Sequence, residues 1–251
     1  MSHPLLKLAL AILIGSATLL FCAAQHGNQA AMATPAPVAA ATTWTLASHS
    51  TSGNLTCSPT CTAYSLGFTG QIGDVLLVFA YTGANKHLSS GNTGYGTWVF
   101  PANCNIYQSS STGTVSCGYV ILTATVTSIT MTMNVNQSNP IIIDVRAYHS
   151  TAGGIVAESV PTPTTSSSCS NNCVAPTVSL TGTADVVVSS IATGNTGCSA
   201  ASPFANFSAP SGDGVADHLN TSSGTGATFT QGTSCPTAAA SAAGMVSIAF
   251  K

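Results

Sequence analysis

The sequence predicts an all-β protein, a two-sheet antiparallel β-sandwich held by disulfides, and three observations lead there. Short runs rich in Val, Ile, Thr and Tyr alternate with clusters of Gly, Ser, Asn and Pro. No stretch places apolar residues at helical spacing between helix caps. Of nine cysteines in 251 residues, eight stand behind a segment that reads as an export leader and supply the staples.

The chain opens with MSHPLLKLALAILIGSATLLFCAAQ. One basic residue (Lys7), an apolar run and small residues after it have the layout of a signal peptide over 1–24, too short and too weakly flanked to be a membrane span. Cleavage after Ala24 leaves Cys22 and Ala24 at the two small-residue positions. A lipid anchor on Cys22 is the alternative, but a small residue should precede such a cysteine, and Phe21 stands there. Residues 25–42, rich in Ala and Pro without periodicity, read as a flexible tether. Residues 43–251 are then a single β-sandwich domain, with a secreted or cell-surface location.

Within that domain the pattern predicts strands over 43–48, 74–81, 96–100, 115–125, 128–135, 141–149, 177–180, 185–192, 227–231 and 245–250. In "SITMTMNV" the alternation is strict, with Ile129, Met131, Met133 and Val135 on one face and Thr130, Thr132 and Asn134 on the other. "DVLLVFAY" and "DVVVSSIA" are apolar on both faces for most of their length, as central strands are. Residues 57–83 and 169–194 share one succession: a Cys-Ser-x-x-Cys turn, a short strand ending in Ser-Leu, a Gly turn, and Asp-Val opening a central strand that ends in Thr-Gly. One hairpin unit is used twice, and two units are too few for a solenoid. Asp74 and Asp185 open equivalent strands, where a carboxylate caps a turn.

The stretches "GDVLLVFAYTG", "TSITMTM…IIIDVRAYHSTAGG", "VSLTGTADVVVSSIATG" and "GMVSIAFK" resemble a broad group of secreted bacterial β-sandwich domains of largely uncharacterised function, similar in pattern to jelly-roll and lectin-like folds. The resemblance covers most of 43–251 and rests on strand patterns. It implies a jelly-roll-like fold and an address outside the cell, and it transfers no catalytic residue. The cysteine turns are not part of the group's pattern.

Charged residues are 4% of the chain while 45% are hydrophobic. An ordinary globular protein carries roughly 25% charged residues, so Ser, Thr, Asn, Gln and Gly must make this protein's wet surface. Beyond the leader the only basic side chains are Lys86, Arg146 and Lys251. Nucleic acids and anionic membranes are bound through clusters of Lys and Arg, which excludes both partner classes; no membrane insertion is expected once the leader is removed.

Without Cys22, eight cysteines remain. An even number in an exported chain favours disulfides over zinc or redox chemistry: four further cysteines accompany the two spaced pairs, and a thioredoxin-type motif needs two intervening residues and a helix start. Repeat and proximity suggest Cys57–Cys61, Cys104–Cys117, Cys169–Cys173 and Cys198–Cys235.

Among the carboxylates, Asp144 and Arg146 share a strand face in "IIIDVRAYH", with Tyr148 beyond them. A polar outer face with a weak ion pair is the plain reading and a binding face the other. "SGDGVADHLN" reads as a solvated loop in which Asp213 and Asp217 are weak calcium candidates, since calcium takes oxygen ligands from loops. Otherwise no cofactor is implied. Neither a G-x-S-x-G elbow nor a paired histidine motif appears, so no catalytic residue is assigned and the balance falls against an enzyme. The segment 82–98 is the candidate recognition loop: Asn85, His87, Asn92, Tyr95 and Trp98 combine amides with aromatic faces among glycines, a mixture suited to sugars and to protein contacts. Trp98 serves equally well as a core anchor. Sequons at Asn54, Asn136, Asn206 and Asn220 matter only in a glycosylating host.

The functional expectation is a non-catalytic secreted or cell-surface protein that binds a glycan or another envelope component. Two alternatives stand beside it: a self-assembling surface-layer or filament protein, because charged guards on sheet edges are few, and a glycoside hydrolase or lyase on the same fold.

Overall fold

The computed structural model describes residues 42–56, 61–82, 86–108, 113–137, 141–158, 160–166, 172–192, 198–208, 213–231 and 243–251, all within one compact unit, Ala41–Lys251. Cys22, Cys57, Asn85, Cys169 and Cys235 lie outside the described residues, as do the leader and most of the tether. The described residues form sixteen strands and no α-helix: β1 (Trp44–Thr51), β2 (Cys61–Gly70), β3 (Val75–Thr82), β4 (Leu88–Gly91), β5 (Asn105–Gln108), β6 (Gly113–Ile121), β7 (Val126–Gln137), β8 (Ile141–Ser150), β9 (Thr164–Ser166), β10 (Asn172–Val174), β11 (Asp185–Ala192), β12 (Cys198–Ala200), β13 (Ala205–Ser208), β14 (Gly214–Thr221), β15 (Thr228–Gln231) and β16 (Ala243–Phe250).

All-β and antiparallel are both as the sequence predicts; the sheet count is not. Among the described residues four sheets form where two were expected, in the orders β1-β8-β3-β6-β5, β2-β7-β4, β13-β14-β11-β16-β9 and β10-β15-β12. Three apolar cores join them. The alternation of β3 shows how: Val75, Leu77, Phe79 and Tyr81 pack with Val186, Val188, Val246, Ile248 and Phe250 of the other five-stranded sheet. Leu76, Val78 and Ala80 pack with Tyr64, Phe68, Ile129 and Met131 of the sheet containing β2. Likewise Val187 and Ile191 of β11 face Cys173 and Phe229 on the fourth sheet. Every residue of β3 and β11 is buried, because each strand has a sheet on both sides. Two serines on β11 are accommodated by pairing: Ser189 Oγ lies 2.9 Å from Ser247 Oγ, and Ser190 Oγ lies 2.7 Å from the Tyr81 hydroxyl.

The pairing of β1 to β8 is repeated, strand for strand, by β9 to β16. The neighbours β1-β8-β3-β6-β5 reappear as β9-β16-β11-β14-β13, and β2-β7-β4 as β10-β15-β12. The duplicated hairpin visible in the sequence is thus part of a duplicated eight-strand unit. Register makes the copies comparable residue by residue. Leu77 pairs with Arg146 and Tyr119, whereas its counterpart Val188 pairs with Ile248 and Asp217. Phe79 pairs with Asp144 and Cys117, and its counterpart Ser190 with Val246 and Val215.

Several strand assignments change. Of 96–100 only Val99 bridges a neighbour, Tyr119. Residues 177–180 join no ladder, although the Val178 amide donates to the Gly224 carbonyl at 2.8 Å. "GVADHLNT" is no solvated loop but the buried strand β14; its polar residues suggested water, yet Asp217 is polar because an arginine faces it. In β7, Ile129, Met131 and Met133 are buried as the alternation requires, while Val135 is exposed.

Cys104 and Cys117 form the expected disulfide, Cα to Cα 5.2 Å, fully buried between the two five-stranded sheets. Cys173 is disulfide-bonded as well. Cys61 and Cys198 begin β2 and β12, their side chains not among those described.

Candidate functional site

Asp144 and Arg146 do not form an outer face. Both are 0% exposed, on the side of β8 that packs on the second five-stranded sheet. Arg146 Nε donates to Asp144 Oδ1 at 3.0 Å, Nη1 to Asp217 Oδ2 at 3.2 Å, and Nη2 to Ser208 Oγ at 2.8 Å and the Val215 carbonyl at 3.2 Å. The Tyr148 hydroxyl donates to Asp217 Oδ2 at 3.0 Å and the Asn206 amide to Oδ1 at 2.8 Å. Ser208 Oγ donates to Asp144 Oδ2 at 2.5 Å, and His49 Nε2 lies 2.9 Å from the same oxygen. A guanidinium between two carboxylates, with hydroxyl and amide donors on their remaining lone pairs, is a satisfied buried network. It clasps the first eight-strand copy to the second.

The electrostatics follow from those neighbours. Burial alone would raise the Asp144 pKa, but the hydrogen bond from His49 and the charge of Arg146 bring it below the usual carboxylate value. For Asp217 burial wins over the pull of Arg146, and the pKa moves up. Asp217 has both oxygens engaged by Arg146, Tyr148 and Asn206 and is 0% exposed. Asp213, also buried, lies four residues earlier along the same strand direction, so about 13 Å of extended chain separates the two. One calcium, with ligands at about 2.3–2.6 Å, does not span that distance. Neither do the described residues contain any group of three or more His, Cys, Asp or Glu suited to a metal.

Asp74 and Asp185 behave as the duplication predicts. Asp74 Oδ2 accepts the Gln71 amide at 3.0 Å and Asp185 Oδ2 the Gly182 amide at 3.1 Å, the same turn cap in each copy. Asp74 also lies 2.9 Å from His149 Nδ1. Two of the sequon asparagines are structural too: Asn206 holds Asp217, and Asn220, with φ 55°, brackets Trp44 by accepting its amide at 2.5 Å and donating to its carbonyl at 3.1 Å.

The recognition loop proposed over 82–98 turns out to hold β4 and a turn, and most of its polar groups serve the fold. The Asn92 side chain accepts the Thr130 amide at 3.2 Å, and its carbonyl accepts Trp98 Nε1–H at 3.0 Å. His87 is tied to Asn134 through both backbone groups. Tyr95, Trp98 and Phe100 pack at the margin of the core between the first two sheets. Trp98 stacks on Phe100 with centroids 5.9 Å apart and planes 17° apart. The indole covers Gly91 so closely that a Cβ there would collide with it. Gly91→Ala is accordingly expected to displace Trp98 and lower stability by about 1–3 kcal/mol, read as a red-shifted tryptophan emission and an earlier urea midpoint.

A more accessible arrangement sits at the end of the third core, beside β14. Ser202, Phe204, His218, Ser223, Thr225 and Thr228 line a cleft of about 240 Å³ whose lining includes no Asp, Glu, Lys or Arg. The Phe204 ring tilts at 56° to the His218 imidazole, 5.5 Å away. Burial holds the His218 pKa below its usual value, against the opposing field of Asp217, so the ring is neutral at pH 7. The edge of Phe204, 9% exposed, a neutral imidazole and Ser/Thr hydroxyls suit an uncharged ligand with an apolar side and hydroxyl edges. Family models, curated proteins and solved structures were all compared with the chain, and none matches.

Sequence reasoning named His218 only as part of a polar cluster and missed Phe204 and the hydroxyl residues. The period-2 spacing of Val215, Asp217 and Leu219 in "GVADHLN" was the available signal that His218 leaves the opposite side of a strand.

Proposed function

We propose that the protein is a non-catalytic β-sandwich, secreted or surface-attached and lectin-like in type, that binds a glycan or a comparable hydroxyl-rich envelope component. The uncharged cleft with Phe204 and His218 among hydroxyl side chains carries this reading. The jelly-roll-like strand pattern and the export leader support it as expectations from the sequence. The carboxylates weigh against a hydrolase: Asp144 and Asp217 are engaged with Arg146, Asp74 and Asp185 cap turns, and Glu158 accepts the Thr181 amide and hydroxyl at 2.7 and 2.6 Å.

The test is a screen of the oxidised chain from residue 25 onward against a glycan array and insoluble polysaccharides. Specific binding is expected whose Kd changes less than about twofold between 0.05 and 0.5 M salt, since screening acts on charges and the cleft has none. Absence of binding to every glycan overturns the reading.

One observation favours self-association as a second reading. A groove of about 340 Å³ is lined by Val99, Tyr119, Ile121, Ile155 and Val156, and Val99, Ile121 and Val156 are 38%, 37% and 50% exposed. Sedimentation that grows with concentration separates this reading from a monomeric binder.

A further inference from the structure

The two eight-strand copies differ where the cleft lies, and the difference points to what fills it. In the second copy the connection from β12 to β13 is only residues 201–204. In the first, β4 to β5 takes residues 92–104, and this longer segment folds back over the corresponding place. Its contacts mark that place. Trp98 covers Gly91 at the end of β4, Phe100 covers Gly118 on β6, and Gly96 meets the Val120 side chain. The Tyr95 carbonyl accepts the Thr123 amide at 2.9 Å in the β6–β7 connection. The open cleft uses the matching elements of the second copy: Ala201 after β12, His218 on β14, Ser223 and Thr225 in the β14–β15 connection. Register matches Val120 to His218, because Val120 pairs with Leu76 and His218 with Val187, the equivalent residues of β3 and β11.

The first copy thus contains a flat ring in its own cleft: the Trp98 indole, stacked near-parallel on Phe100 with its N–H on a backbone carbonyl. Resting on the functional reading above, we infer that the second copy's cleft is a subsite for one six-membered sugar ring. Its apolar face meets the edge of Phe204, which is 9% exposed, and its hydroxyls meet His218 and the Ser/Thr rim. An aromatic side chain from a partner protein is the less suitable occupant. The first copy, which does hold aromatic rings, has Val120 where the second has His218, a hydrogen-bonding group that a purely apolar guest leaves unused. The site is therefore single, with the other copy carrying its own plug, and the aromatic residues of 82–98 belong to that plug.

Saturation-transfer NMR and titration calorimetry on the whole oxidised chain test this, with a panel of monosaccharides and short oligosaccharides and with a Trp-containing peptide as the competing probe. The expected result is one sugar bound per chain, with transfer strongest to ring C–H protons. Phe204→Ala and Thr225→Val should lower affinity at least tenfold, while Trp98→Phe leaves it unchanged. Sugar binding that survives both cleft variants but is lost in Trp98→Phe overturns the subsite while keeping the function. Binding of the peptide in preference to every sugar, or two sugars per chain, also overturns it. No sugar binding by the unaltered chain removes the functional reading itself. Circular dichroism of Thr225→Val, a near-isosteric change at an exposed position, guards against loss through misfolding.

Discussion

Replacing Arg146 by alanine is expected to lower the stability of the protein at pH 7 by about 3–5 kcal/mol, the usual effect of removing one partner from a buried ion pair. The reason lies in what stays behind. Asp144 and Asp217 are both fully buried, and without the guanidinium Asp217 keeps a charge that burial penalises with no cation beside it, while Asp144 retains only its contacts with His49 and Ser208. The pH dependence should then change character. In the unaltered protein Asp144 is held below its ordinary pKa, so its contribution is complete above about pH 4 and fades as acid protonates it. In Arg146→Ala both carboxyls shift upward, the folded state takes up protons more readily than the unfolded one, and the deficit shrinks as pH falls. Urea midpoints at pH 7 and pH 5 read both effects. A loss below about 1 kcal/mol at pH 7, or a deficit that does not shrink in acid, contradicts the clasp.

The duplication supplies the control. At the equivalent places the molecule already has an apolar version of this contact: Val246 for Asp144, Ile248 for Arg146 and Tyr119 for Asp217, with Phe250 in the place of Tyr148. Tyr119 meets Phe250 edge-on at 5.2 Å, the counterpart of Asp217 receiving the Tyr148 hydroxyl. The combined variant Asp144→Val, Arg146→Ile, Asp217→Tyr should regain at least half of what Arg146→Ala loses, since apolar replacement of a whole buried network is often neutral or stabilising. A variant less stable than Arg146→Ala would mean that the ionic version is required by the shape of this end of the seam.

The sequence made the strands legible and the layering illegible, for a physical reason. Hydrophobic period reports whether a face is buried, not which sheet buries it. Val75 to Thr82 and Asp185 to Ala192 read correctly as buried on both faces. That observation already argued for more than two sheets, because in a two-sheet sandwich each strand has one wet face. The shared Cys turn and Asp cap exposed part of the duplication; the rest is hidden because β9, β10 and β12 span three residues each, too short for a pattern. Asp144, Arg146 and Asp217 were misread together. Each looks like surface in isolation, and only the pairing of β8 and β14 across the seam shows that they neutralise one another. The cleft was least visible, since Phe204 and Thr225 come from segments with no period, joined only by the fold.

The second large effect is expected at the Cys104–Cys117 disulfide. Changing both residues to alanine should lower stability by about 3 kcal/mol, the chain-entropy value for a loop of this order, here closed over a sequence separation of 13. Packing adds to the loss, because both cysteines are fully buried in the core shared by the two five-stranded sheets, alongside Val246, Ile248 and Phe250. The bond also pins the turn Ala102–Cys104 to β6 and so fixes where β5 starts. The second copy needs no such bond. Phe204 immediately precedes β13 as Cys104 precedes β5, and Val215 holds the place of Cys117. The disulfide therefore steadies the copy with the long β4–β5 connection, which has more chain entropy to lose on folding. Equilibrium unfolding of the double variant, compared with the Cys104→Ala single variant, tests this. The two should be equally destabilised, since either change opens the same loop. A double variant within about 1 kcal/mol of the unaltered protein would mean that packing alone holds the plug in place.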